Sequence, residues 1–349
     1  MDLEFIVNAI AEKEKTSDRK PVDMYLQHGL MGRVIFYYWF GKRFQKDSYI
    51  EYADSLLDDI HKAISSKSYI EIPNGILGLG IGLDILIRKQ YVSGKSDEIL
   101  KGLDEHIYRF INSNVLNFGK KYEKEHVVLL LNSLIYFTYR LSSGIENPMD
   151  RKIYQMFSFD MLNTIYHNLP DSFFKEPLPF SYDYKILHFL WVTVKLYKMG
   201  LFINRIEKIW DEIKYEVFPI TPLLQGNCLS LYYISSLIGE ALNGDNEWLK
   251  HSQKLKRDIS IDYIFDVELK NRSVFFTDGI GGMYLLLRAC NKERKNFTFD
   301  NNKIIERIMT SEIWNLMDSD VKDYKKHAGL DGFCGLAILL DILIKNGKN

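Results

Sequence analysis

PNGILGLGIGLDILIRKQYVSGKSDEILKGLDEHIYRFI, residues 73–111, sets two kinds of helix side by side. Over 75–88 nearly every residue is apolar or glycine, so a helix there has no face to offer to water. A short polar turn follows. Over 96–111 leucines and isoleucines recur three and four apart with Asp, Glu, Lys and Arg between them, the pattern of a helix with one buried and one solvated face.

The same alternation continues on both sides. Seven nearly apolar segments, the first at about 29–40 and the last at about 332–345, alternate with seven amphipathic ones, from about 3–14 to about 303–316. Eight prolines and few alternating strand-like runs leave little room for a sheet. The fold class predicted is all-α: residues 1–349 form a single α/α toroid, with seven inner helices wrapped by seven outer ones. Four inner segments open on the same spacing, Gly29-x-x-Gly32, Gly75-x-x-Gly78, Gly279-x-x-Gly282 and Gly332-x-x-Gly335, an internal repeat of about 50 residues. Glycine costs a helix roughly 1 kcal/mol against alanine, so its recurrence implies close backbone approach at the helix starts. Gly78, Gly80 and Gly82 do not form a nucleotide loop, since no strand precedes them and no Gly-Lys-Ser/Thr follows.

Composition narrows the function. With 46% hydrophobic residues the chain can bury a sizeable core, and 45 Lys and Arg against 46 Asp and Glu leave no basic excess for nucleic acid. The longest apolar runs, such as 75–83 and 127–131, fall well short of the roughly 18–20 residues that cross a bilayer. The opening MDLEFIVNAIAEKEKTSDRK lacks the basic start and apolar run of a signal peptide. Cys228, Cys290 and Cys334 are scattered and odd in number, as in a reducing compartment. A cytoplasmic protein without membrane insertion is expected.

With this architecture, the stretch 73–111, HAGLDGFCGLAILLDILI at 327–344 and HGLMG at 28–32 resemble the second, closing and first repeats of the lanthionine synthetase C-like proteins, cyclases of ribosomal peptides and their relatives. The resemblance implies a seven-by-seven α/α toroid with a zinc ion held by two cysteines and a histidine at its mouth. Zinc there activates a peptide cysteine for addition to a dehydrated Ser or Thr, while a histidine moves the proton. Soft thiolates favour zinc, and an open fourth position admits the substrate sulfur. Where the family carries Trp-Cys-x-Gly, this chain reads Asn227-Cys228-Leu229-Ser230 and keeps the cysteine. Against the family's Cys-His-Gly stands Thr277-Asp278-Gly279, and against its His-Gly-x-x-Gly stands a segment opening Asp183-Tyr184, with His188 five residues beyond Asp183. The zinc site is therefore expected to be degenerate or absent: no cofactor is expected, with zinc possible only through Cys228 and Asp278.

The site is expected where the inner helices start, around His28, Asp183, Cys228 and Asp278. Asp183 and Asp278 are the catalytic candidates, and His28, Tyr184, Tyr232 and Tyr284 the substrate-binding ones. Tyr37, Tyr38 and Tyr233 also lie near inner-helix starts. Their amino-terminal N–H groups would suit a peptide carboxylate. Cys228 equally reads as a small packing residue, Cys290 and Cys334 as core, and His106, His167 and His251 as structural or solvated. Three functions follow from these residues. The first is a peptide-binding or accessory member of the family, whose partner is a peptide or a peptide-modifying enzyme. The second is an active cyclase with an altered metal site. The third is a glycan-processing toroid in which Asp183 and Asp278 supply carboxylates about 5–10 Å apart.

Overall fold

The computed structural model describes residues 3–16, 24–64, 75–116, 122–178, 180–181, 183–294, 297–317, 327 and 329–347; Pro73 and Asn74, at the head of the stretch quoted above, lie outside them. The described residues form helices and turns, with no strand. Helices of nine residues or more begin with α1 (Leu3–Thr16), α2 (Leu30–Phe44), α3 (Asp47–Ile64), α4 (Ile76–Arg88), α5 (Lys101–Asn114), α6 (Lys124–Ser142) and α7 (Pro148–His167). They continue with α8 (Lys185–Lys198), α9 (Ile203–Val217), α10 (Gln225–Ala241), α11 (Glu247–Lys256), α12 (Ile280–Arg294), α13 (Asn301–Met309) and α14 (Phe333–Gly347). The even-numbered helices are the apolar segments and the odd-numbered ones the amphipathic segments. α9 buries Ile206, Ile209, Trp210, Ile213 and Val217 along one face, whereas α10 is buried on nearly every side from Gly226 to Gly239. No helix among the described residues is long and apolar enough to cross a membrane.

The chain divides into two compact units. The first comprises Met1–Leu103, Ser273–Gly282 and Phe299–Asn349. Within it α2 packs on α3, α4 and α14, while α1 and α13 both lie on α14, so helices from the two ends of the chain share one core. Ion pairs tie the same helices together: buried Arg33 Nε on α2 lies 2.9 Å from the buried Glu14 carboxylate of α1, and the exposed Arg43 of α2 lies 3.2 Å from buried Asp341 of α14. The second unit comprises Asp104–Arg272 and Met283–Thr298. Here α6 packs on α7, α10 on α11, and α8 touches both α6 and α10. Its buried anchor is Asp104 on α5, which accepts from Arg140 at 2.9–3.3 Å and from the hydroxyls of Tyr136 and Tyr154 at 2.5 and 3.0 Å. With every partner present, the desolvation cost of the ion pair is offset by four donors on one carboxylate.

The glycine repeat has a local cause in the first unit. Before α12, the N–H groups of Ile280, Gly281 and Gly282 donate back to the carbonyls of Ser273, Val274 and Phe275 at 3.0, 3.2 and 3.3 Å. The loops before α2 and α14 return similarly, with Met31 donating to Met24 at 3.3 Å and Phe333 to His327 at 2.8 Å. Each return lays backbone against the first turn of the helix. A Cβ on Gly32 would stand 2.5 Å from the Leu26 carbonyl oxygen and 2.8 Å from the Leu330 nitrogen. Gly329 closes its return at φ +81°, where side chains are strained.

His251, on α11, is a packing residue of the second unit rather than a solvated one. Its ring stacks on Phe218 at 4.5 Å between centroids, Nδ1 lies 3.2 Å from Ser235 Oγ, and the residue is 8% exposed. Burial, and then Lys254, push its pKa down to about 4.

Two outcomes are expected in urea unfolding. Gly32→Ala should lose about 1–3 kcal/mol from backbone collision, whereas Gly102→Ala, in α5 with open space around it, should gain about 0.5–1 kcal/mol. Equal effects would remove the close-approach explanation. For His251 the unfolded chain takes a proton near pH 6.5 and the folded chain only near 4, so its contribution to stability falls as pH drops through that interval. The loss should reach roughly 3 kcal/mol, be absent from the pH profile of His251→Phe, and so appear in the difference between the two profiles. A difference curve that stays flat from pH 7 to about 4 would show that the ring titrates normally.

Candidate functional site

Each unit carries one polar assembly at the starts of its apolar helices. In the first unit the loops before α2, α12 and α14 meet at Asp331. Its Oδ1 accepts the backbone N–H groups of Phe276 and Thr277 at 2.8 and 3.0 Å, and its Oδ2 accepts the Thr277 hydroxyl. Gln27 Nε2 bridges to Thr277 Oγ1 at 2.6 Å and to Asp331 Oδ2 at 2.8 Å. His28 Nε2 stands 3.9 Å from the same Oδ2, with the ring 38% exposed and Nδ1 buried without a hydrogen-bond partner. Asp331 thus fastens the loop before α12 and gathers a hydroxyl, an amide and an imidazole around one carboxylate.

In the second unit two glutamates clamp the start of α10. Glu176 accepts from the N–H groups of Leu223 and Leu224 at 2.7 and 3.0 Å, and Glu268, at the end of a π-helical turn (Ile264–Glu268), accepts from Gln225 and Gly226 at 2.6 and 2.9 Å. The Asn227 amide nitrogen adds bonds to Glu176 at 2.8 Å and to the Pro177 carbonyl at 3.0 Å. The N–H groups expected to await a peptide carboxylate are therefore occupied by the protein's own side chains. Beyond the clamp lies a cavity of about 310 Å³. α8 and its approach contribute Ser181, Tyr184, Leu187, His188 and Trp191; α10 contributes Ser230, Tyr233 and Ile234; α12 contributes Leu285, Leu286 and Ala289.

The expected site residues distribute between these places. His28 and Asp278 fall in the first unit, Asp278 half-buried beside Thr277. Asp183, Tyr184, Cys228, Tyr232 and Tyr284 fall in the second. Asp183 is an exposed side chain paired with Lys185. Tyr184 lines the cavity and donates to the Phe174 carbonyl at 3.2 Å; burial and then Glu176 push its hydroxyl up to about 12. Tyr232 and Tyr284 are core, 3% and 1% exposed, with Tyr232 set edge-on to Phe297. Their place at the cavity wall is taken by Tyr233 and Trp191.

Cys228 opens α10 as a buried thiol donating to the Leu255 carbonyl at 3.7 Å. Burial first, then Asp258, Glu176 and Glu268, push it up to about 12, so it is a neutral thiol at physiological pH. Zinc needs thiolate, imidazole or uncommitted carboxylate. In the first unit Thr277 offers only a hydroxyl, already bonded to Asp331, and in the second the carboxylates near Cys228 are engaged with backbone N–H groups. This donor set does not fit the implied zinc centre. Among the described residues no group of three or more His, Cys, Asp or Glu side chains could hold a metal ion.

The chain matches no protein-family model and no curated protein.

Protein purified from zinc-supplemented cells is expected to carry well under one zinc per chain by elemental analysis. One tightly held ion that disappears in Cys228→Ala would reverse this expectation.

Proposed function

We propose that this chain is a lanthionine synthetase C-like toroid that works in ribosomal peptide modification as a peptide-binding or accessory member, in the cytoplasm and without a working zinc centre. One observation carries the reading: three apolar helices of the second unit, within their first three turns, line one cavity with aromatic faces, two serines and a histidine. Few polar groups in a largely apolar pocket suit a side chain attached to a backbone that still needs hydrogen bonds. Ser181, Ser230 and His188 are the polar side chains at the wall that such a backbone would meet. The neutral, hydrogen-bonded Cys228 supports a binding role over thiol activation. Aromatic walls beside Asp183 also suit a sugar, which keeps the glycan reading as the competitor to be tested.

The test uses a short peptide carrying one cysteine and one dehydroalanine. With the full chain, the peptide should shift tryptophan emission through Trp191 while its thiol remains open to alkylation at the uncatalysed rate. Accelerated loss of the free thiol would restore the cyclase reading. Binding of an oligosaccharide, but of no peptide, lost in Asp183→Asn together with Asp278→Asn, would replace both with the glycan reading.

A further inference from the structure

The peptide reading leaves open what kind of peptide the cavity selects, and the charges at its α10 end bear on that. Ser230, on the cavity wall, donates to the Gly226 carbonyl at 3.3 Å, and the Gly226 N–H is held by Glu268. The clamp is therefore about 6 Å, one helical turn, from the cavity. Tyr184 makes the second link, from the opposite wall, through its bond to Phe174, two residues before Glu176. Among the described residues Glu176 and Glu268 form no ion pair; their partners are backbone N–H groups and the Asn227 amide, and a helix start supplies roughly half a positive charge against two formal negative ones. The exposed Asp258, three residues beyond the Leu255 carbonyl that takes the Cys228 thiol, adds to the same field.

A second feature is independent of the acidic groups. Asn227 is fully buried, and because its amide nitrogen faces Glu176 and Pro177, its Oδ1 has no hydrogen-bond donor among the described residues. That oxygen is out of reach of a ligand, but as an unpaired buried acceptor it adds negative polarity to this end of the site. Apolar surface surrounds it as well: Leu178 and Leu223, which flank the Glu176 clamp, are 64% and 79% exposed. At the other end Lys195 Nζ stands 5.2 Å over the Trp191 ring, which disfavours a second cation there.

We propose that the cavity takes the bulky apolar side chain of a peptide whose neighbouring residue is lysine or arginine, with that cation directed to Glu176, Glu268 and Asp258. This rests on the peptide reading of the same cavity. The aromatic walls Tyr184, Trp191 and Tyr233 accept a phenyl-sized group within the 310 Å³ available. The carboxylates keep their backbone bonds and offer the cation their outer lone pairs, since each ionised oxygen can accept more than one donor. The interaction is partly solvated, so it sets preference more than affinity.

Three probes separate this proposal from the reading beneath it: acetyl-Phe-Lys-amide, acetyl-Phe-Gln-amide and acetyl-Phe-Glu-amide, titrated into the full chain by calorimetry. All three should bind, the lysine peptide about three- to tenfold tighter than the glutamine one and the glutamate peptide weakest. High salt and Asp258→Asn should each narrow the gap. Ala289→Trp, which fills the cavity, should abolish binding of all three, with Trp191→Ala as the second variant should the first not fold. Equal affinities at low salt, or preference for glutamate, would overturn the cation selectivity and leave the peptide reading standing. No binding of any probe to the native chain, or binding indifferent to both cavity variants, would overturn the two together.

Discussion

Buried helix starts set the terms for this structure. The first N–H groups of an α-helix have no partner within the helix, and here they lie where apolar helices crowd together and water cannot serve them all. The chain answers in two ways. Before α12, α14 and α2 the loop folds back so that its own carbonyls meet the first turn, which demands glycine wherever the two backbones touch. At Asp331, Glu176 and Glu268 a carboxylate from another segment accepts two N–H groups at once. The Thr277 hydroxyl and Gln27 in the first unit, and the Asn227 amide in the second, are arranged around those carboxylates.

The alternation of helix types was legible because it depends on periodicity alone. An apolar helix and a one-faced helix differ in composition at every turn, and the expected segment over 75–88 appears as α4 (Ile76–Arg88). Glycine spacing was legible for the same reason, since a Cβ is excluded whatever the neighbour. Helix phase was harder. Tyr232 and Tyr233 differ by one position, or about 100° of rotation, and only the second faces the cavity. The spacing Tyr184, Leu187, His188 and Trp191, with Ser230, Tyr233 and Ile234, marks those faces at helical period, so a reading by face instead of by nearness to the helix start would have chosen Tyr233 over Tyr232.

The clamp residues were not legible at all. Glu176 lies in a Pro-flanked loop and Glu268 at the end of a π-helical turn, each more than forty positions from the N–H groups it accepts. Nothing local distinguishes them from other surface glutamates. Asp331 did stand inside the HAGLDG motif, but nothing in that motif indicates that its oxygens reach the loop before α12. Long-range capping is fixed by packing, which a single chain's text does not record.

The clamp also decides what chemistry the start of α10 can support. A divalent ion would need Cys228 ionised and the carboxylates of Glu176 and Glu268 turned toward it, which means unsatisfying four backbone N–H groups and charging a thiol held near 12. The bonds at Leu224, Gln225 and Gly226 are part-buried and the one at Leu223 is exposed, so water recovers some of the loss, but a metal must still displace all four acceptors before it binds. A flexible ammonium or guanidinium group meets no such barrier, because it adds donors to oxygens that stay where they are. The arrangement thus keeps a negative field at the cavity's edge while denying it the free ligands of a metal site. Where a thiolate–zinc centre needs an ionised sulfur and uncommitted donors, the start of α10 has a neutral thiol and carboxylates already bonded to its own backbone.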